Sequence, residues 1–162
     1  MSEGIGARVL RKEDKRFITG KGRYTDDIVE PNQAYAAFVR SPHAHARIVS
    51  IDTSAAMAMA GVETVLMGPE LVADGIGNII CGWGVTSKDG SPMNMGAWSA
   101  LATEKVRYVG DAVAIIVADT KSLATLAAEA VVVTYEELPV VVGSLQALAE
   151  GSPQLHDNAP SN

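Results

Sequence analysis

Lys105-Val-Arg-Tyr-Val-Gly-Asp-Ala-Val-Ala-Ile-Ile-Val-Ala-Asp119, followed across a short Ala-rich segment by Val131-Val-Val-Thr-Tyr-Glu-Glu-Leu-Pro139, is the stretch that decides the fold. Val113 to Val117 is an unbroken apolar run of strand length, with the β-branched content of a strand covered on both faces. Gly110 and Asp111 interrupt it at the front, and a glycine there marks a bulge or a close backbone approach. Asp119 and Thr120 offer side-chain oxygens as an N-cap for a helix from about Lys121 to Ala130. On that helix Leu123, Leu126, Ala127 and Ala130 are expected to share the buried face. Val131 to Val133 then opens a second buried strand, which Leu138-Pro139 closes because proline has no N–H for a ladder.

Outward from this unit, the coarse reading starts with an N-terminal arm, residues 1–27. Ala34 to Arg40 and Arg47 to Ile51 read as strands joined by the Ser41-Pro-His-Ala-His-Ala46 turn. Asp52, Thr53 or Ser54 caps a short Ala/Met helix that Gly61 ends. Val62 to Met67 is the next strand. From Gly68 to Trp98 the chain is rich in Gly, Asn, Ser and Met, the composition of a functional or interface loop. Alternating strands and short helices without a Gly-rich phosphate fingerprint predict an α+β or mixed α/β domain.

Composition fits a single domain. The chain has 162 residues, and with two Phe and two Trp its core must be built from Val, Ile, Leu and Ala. One cysteine, Cys81, leaves no internal disulfide and fits a reducing compartment. The charged first twenty residues do not read as a signal peptide, and no apolar run reaches the roughly 20 residues of a membrane span. A soluble cytoplasmic protein with no membrane partner is therefore expected. The net charge of −6 is unevenly laid out, since nine of thirteen Lys and Arg lie in residues 1–47. Glu13 and Asp14 interleave with the basic side chains of the arm and stacking aromatics are sparse, which argues against nucleic-acid binding.

Candidate chemistry is thin. His43 and His45 form a His-x-His pair that on a strand would share one face and hold a metal, but no third ligand accompanies them. They read better as turn histidines bonded to backbone or to a neighbouring domain. Asp26-Asp27 and Glu136-Glu137 are adjacent pairs in extended segments, point to opposite sides, and make no acid/base dyad. Gly20-Lys-Gly22 reads as a surface turn, because no helix convincingly follows it. Asp111 is expected to cap a neighbouring backbone or to pair with Arg107. Cys81 lacks an adjacent base or cation to activate it. No catalytic, cofactor-binding or metal-binding residue is assigned. Trp83, Met93, Asn94, Met95 and Trp98 differ in kind, because Met and Trp in a Gly-rich loop make adaptable contact surface.

Several blocks carry a family resemblance. Arg8 to Asp27, Ala37-Phe-Val-Arg-Ser-Pro-His-Ala-His-Ala-Arg-Ile48, Lys105 to Asp119, Tyr135 to Pro139 and Leu155-His-Asp-Asn-Ala-Pro160 follow one another in order. Together they resemble the N-terminal part of the large, molybdenum-binding subunit of the xanthine dehydrogenase, aldehyde oxidase and carbon monoxide dehydrogenase family. The likeness spans nearly the whole chain and is weak from about Gly68 to Ala100. It implies an α/β-hammerhead domain over residues 28–150, with 151–162 opening the linker to a catalytic domain that this chain lacks. In the complete enzyme the resemblance implies a molybdenum-pterin dinucleotide that hydroxylates carbon centres or oxidises carbon monoxide. Electrons then pass through iron–sulfur clusters to FAD, commonly on separate subunits.

The expected partners are accordingly the molybdopterin-binding domain of the same subunit and the iron–sulfur and FAD subunits. The chain itself is expected to hold no cofactor and to be inactive alone, with the Trp/Met loop bordering the substrate channel or a domain interface. The alternative reading is a stand-alone, non-enzymatic interaction module that docks through that loop.

Overall fold

The structure is a computed structural model and describes residues 4–6, 9–157, 159 and 162. Arg8 of the first resemblance block, and Asn158 and Pro160 of the last, lie outside the described residues. The chain divides into two compact units, Met1–Gln33 and Ala34–Asn162. The first unit holds a short helix α1 (Asp14–Ile18) and a 3-10 turn over Thr25–Asp27, in which the Tyr24 N–H donates to Asp27 Oδ2 at 2.9 Å. Phe17 and Tyr24 stack with ring centroids 5.1 Å apart. Gly20-Lys-Gly22 is the turn that leaves α1, with Gly20 at φ +69° donating its N–H to the Phe17 carbonyl.

The second unit runs β1 (Tyr35–Arg40), β2 (Ala46–Asp52), α2 (Ser54–Met57), β3 (Val62–Met67), α3 (Gly68–Ala73), β4 (Lys105–Val106), β5 (Ala112–Ala118), α4 (Lys121–Ala130), β6 (Val132–Glu137) and α5 (Ser144–Ala147). Its strands form two antiparallel three-stranded sheets, ordered β1-β5-β3 and β4-β2-β6. Odd-numbered strands thus make one sheet and even-numbered strands the other, so every connection between consecutive strands, β5 through α4 to β6 included, crosses from one sheet to the other. The strand-helix-strand unit of the sequence links two sheets.

β5 is the central strand of the first sheet because its alternate residues Ala114, Ile116 and Ala118 are fully buried, 0 % exposed each. Ala114 and Ile116 pack in one cluster with Ala56, Val65, Ala127 and Val131, so α2 and α4 close over one side of that sheet. Full burial of a residue such as Ile116 contributes about 1.5–3 kcal/mol. Val39 pairs with Ala114 and Arg40 with Ala112, which leaves Val113 as the extra residue of a bulge. Val113 is thereby buried at 0 % beside Ala46, Ala102 and Val106, the second cluster, and joins the cores of the two sheets. The bulge falls at Val113, three residues past Gly110. Gly110 serves a turn instead, at φ +92°, with its N–H on the Ser41 carbonyl at 2.8 Å.

α4 begins as its cap requires, with Thr120 Oγ1 accepting from the Leu123 N–H at 3.1 Å. Its buried face is Ala124 and Ala127, flanked by Leu123 and Ala128, whereas Leu126 is 57 % exposed. At about 100° per residue Leu126 stands one step off the stripe set by 120, 124 and 127, so the expectation that it faced the core fails. β6 likewise alternates, with Val132 61 % exposed, because it is an edge strand with one covered side rather than a buried one. α3 was not expected. Its signal is Pro69 in the first turn, with Glu70 accepting the Met67 N–H at 2.8 Å. Among the described residues no helix is long and apolar enough to cross a membrane.

Candidate functional site

Between α3 and β4 the backbone makes one isolated bridge, Thr86 to Pro92, and otherwise neither helix nor strand. The loop is fastened where the Ile79 N–H meets the Trp98 carbonyl at 2.7 Å and the Met93 N–H meets the Val85 carbonyl at 3.0 Å. At its tip Asp89 accepts from the Ser91 hydroxyl at 2.6 Å and the Ser91 N–H at 2.9 Å, and these bonds hold the Asp89 carboxyl below the ordinary carboxylate range. Within the loop lies a groove of about 660 Å³, walled by Ile79, Ile80, Met93, Met95 and Trp98. These walls stay open to solvent, with Ile80 89 % and Trp98 55 % exposed.

Of the residues singled out from sequence, Cys81, Met93, Asn94, Met95 and Trp98 line this groove, and Trp83 stands outside it, 79 % exposed. Sequence reasoning missed Ile79 and Ile80, whose signal was an apolar pair inside a polar, Gly-rich segment. It also missed His156, which reaches the groove from the C-terminal tail.

The tail is held there by charge. Lys105 Nζ lies 2.6 and 2.8 Å from the two Asp157 carboxylate oxygens, and Arg107 Nε donates to the Leu155 carbonyl at 2.8 Å. The Lys105 ammonium, first by hydrogen bond and then by charge, keeps the Asp157 carboxyl below its ordinary value, with Arg107 adding to the effect. A smaller cavity of about 90 Å³ lies beside this clasp, lined by Trp98, Lys105, Arg107, Tyr108, Asp111 and His156. Burial, and then the neighbouring Asp111 carboxylate, push the Tyr108 phenol up.

The other candidates take structural roles. Asp111 caps backbone, its Oδ2 accepting the Arg107 N–H at 3.1 Å. His45 is 6 % exposed, and its Nδ1 donates to the Pro139 carbonyl at 2.8 Å, leaving Nε2 buried without a partner among the described residues. His43 tilts against Tyr135 with centroids 4.9 Å apart and sits 3.7 Å from Glu137, while Glu136 pairs with Arg47 at 3.0 Å. Cys81 is exposed, with Sγ 3.4 Å from the Trp83 carbonyl. Among the described residues no three His, Cys, Asp or Glu side chains converge. No chemical step is assigned to the chain's own residues.

Two small antiparallel sheets, short helices and an apolar loop groove define an α+β domain. The a/b hammerhead domain of aldehyde oxidase and xanthine dehydrogenase matches residues 19–139, and the chain belongs to that family. It is 40 % identical over 156 residues to the carbon monoxide dehydrogenase large chain of Hydrogenophaga pseudoflava, covering 96 % of this chain and 18 % of the relative. It is 36 % identical to the xanthine dehydrogenase molybdenum-binding subunit of Escherichia coli O157:H7, covering 86 % of this chain and 18 % of that subunit. Among solved structures, quinoline 2-oxidoreductase from Pseudomonas putida 86 superimposes with a TM-score of 0.79 at 40 % identity, covering 98 % of this chain and 19 % of that one. The chain thus spans about 18 % of the length of the curated relatives it matches.

Proposed function

We propose that this chain is the N-terminal supporting domain of a molybdenum-dependent hydroxylase or dehydrogenase, packing on the molybdopterin-binding domain of the large subunit and bordering its substrate path. The observation that carries this reading is the loop groove: an apolar recess of about 660 Å³ whose Ile80, Met95 and Trp98 walls are more than half exposed within this chain. Exposed apolar surface gathered in one place marks a contact site. Molybdenum, the pterin dinucleotide, iron–sulfur clusters and FAD belong, in this reading, to the rest of the enzyme and its other subunits. The chain contributes shape and an apolar wall. The relatives include enzymes named for carbon monoxide, xanthine and quinoline, so membership of the family does not by itself select a substrate.

Reconstitution tests this. The chain is mixed with the separately expressed molybdopterin-binding part of a large subunit of the family. Complex formation, molybdenum content and dye-linked oxidation of aldehydes, purines and carbon monoxide are then measured. The expected result is a stable complex whose activity needs both parts. A folded chain that ignores its partner would instead favour a stand-alone interaction module.

A further inference from the structure

The loop groove is one apolar surface of this domain; the first sheet carries another. On β5 the alternate residues Ile115 and Val117 point away from α4, and the register fixes what stands beside them. Phe38, Ile115 and Leu66 form one row across β1, β5 and β3, and Ala36, Val117 and Thr64 form the next. Phe38 is 47 % exposed with the Arg40 guanidinium 5.2 Å over its ring, and Ile115, Val117 and Leu66 are only half-buried. An apolar run on both sides of a strand is the pattern of a sheet covered on both faces, yet within the unit Ala34–Asn162, among the described residues, only the face with Ala114 and Ile116 carries a helix.

We infer that this outer face is a second docking surface, and that its occupant is a helix of the same large-subunit polypeptide, outside the portion this chain represents. The inference rests on the function proposed above and adds a face to it. Size decides the occupant. Three strands about 4.8 Å apart and two rows about 7 Å apart give a face of about 200 Å². Separate chains need about 800 Å² on each partner to hold together, so neither a second copy nor a free protein is retained by this face alone. A tethered segment is different, because the linkage supplies an effective concentration in the millimolar range. The relatives supply the length, since the matched region is 18 % of theirs. A face about 14 Å long matches roughly nine residues of helix, as α4 matches the opposite face.

The test is hydroxyl-radical footprinting of two proteins. One is the chain alone. The other is the chain joined, in one polypeptide, to the remainder of the Hydrogenophaga pseudoflava large chain in place of its matched region. Phe38 oxidation is expected to fall about tenfold on joining, as its exposure drops from 47 % to the few per cent of a core side chain. Leu66 should be protected with it. Met95 and Trp98 report the loop groove separately. Groove protection with Phe38 and Leu66 unchanged overturns this inference and leaves the proposed function standing. No protection at either surface overturns both. Phe38→Lys, at an exposed position, should leave the circular dichroism of the chain alone unchanged and abolish Leu66 protection in the joined protein; retained protection would also overturn the inference.

Discussion

Replacing Gly68 with alanine sets two effects against each other. Gly68 is the first residue of α3 and is buried. In a helix alanine is favoured over glycine by about 1 kcal/mol, so propensity alone predicts a more stable protein. The structure predicts the reverse. A Cβ built at Gly68 would stand 2.8 Å from the Ala102 carbonyl carbon and 2.9 Å from the Leu101 oxygen, with the Ala102 oxygen closer still. These are backbone atoms of a segment with little room to yield. Leu101 and Ala102 are 3 % and 7 % exposed, and the Ala102 N–H is held by the Ala112 carbonyl at 2.7 Å.

Overpacking of this kind costs about 1–3 kcal/mol, and rigid surroundings put the cost at the upper end. After the propensity gain, a net loss of about 1–2 kcal/mol remains, which at this length lowers Tm by about 3–8 °C. Urea unfolding followed by circular dichroism should show a lower midpoint with an unchanged slope. Gly77→Ala is the control, because nothing lies within 4 Å of a Cβ there and its φ is not positive, so its stability should stay the same or rise. A Gly68→Ala protein as stable as the parent would refute the close approach that ties α3, where the groove loop begins, to the segment where it ends.

Thr120→Ala removes the oxygen that caps α4 at 3.1 Å and should cost about 1 kcal/mol in urea titration, with Thr120→Ser recovering most of it. Leu126→Gln, at a 57 % exposed site, should change stability by less than about 0.5 kcal/mol, whereas Ala127→Leu, at a 0 % exposed site, should cost about 1–3 kcal/mol; the opposite order in thermal melts would contradict the observed face of α4. A carboxyl whose pKa is lower in the folded state stabilises above its unfolded value and loses that effect as pH falls through the lowered one. Asp157, held below its ordinary 3.8 by Lys105, should therefore keep the tail clasped at neutral pH and release it only in stronger acid. Carbon-13 NMR of its carboxyl should show the low titration, and Lys105→Met should bring it back towards 3.8.

What the sequence made legible was local. β3 runs from Val62 to Met67 and α4 from Lys121 to Ala130, as read, because each is bounded by its own signals, Gly61 and Thr120. α3 escaped because it opens the Gly-, Asn-, Ser- and Met-rich stretch that reads as loop, and its start shows in Pro69 of the first turn and in the Glu70 bond to the Met67 N–H. Pairing was not legible either. Arg47 meets Glu136 across β2 and β6 at a separation of 89 residues, and no local pattern encodes which sheet a strand joins. The groove divides the same way. Met93, Met95 and Trp98 stood out by composition, but His156 arrives through the Lys105–Asp157 contact, 52 residues apart.

The distribution of large and small apolar side chains connects these observations to function. Of the thirteen buried apolar residues among those described, seven are alanines: Ala46, Ala56, Ala102, Ala114, Ala118, Ala124 and Ala127. Alanine lets a helix or a strand approach closely, but each one removes little area from water. The larger groups that would contribute most, Phe38, Ile80, Met95 and Trp98, stand 47–89 % exposed. Full burial of such a side chain contributes about 1.5–3 kcal/mol, so completing the burial of a half-exposed one adds about 1 kcal/mol. Four of them covered by the rest of a large subunit would add about 4 kcal/mol, a large fraction of the 5–15 kcal/mol that stabilises a typical domain. Under the proposed function, the same side chains would supply both contact surface and added stability, and the domain would gain part of its rigidity from what it docks against.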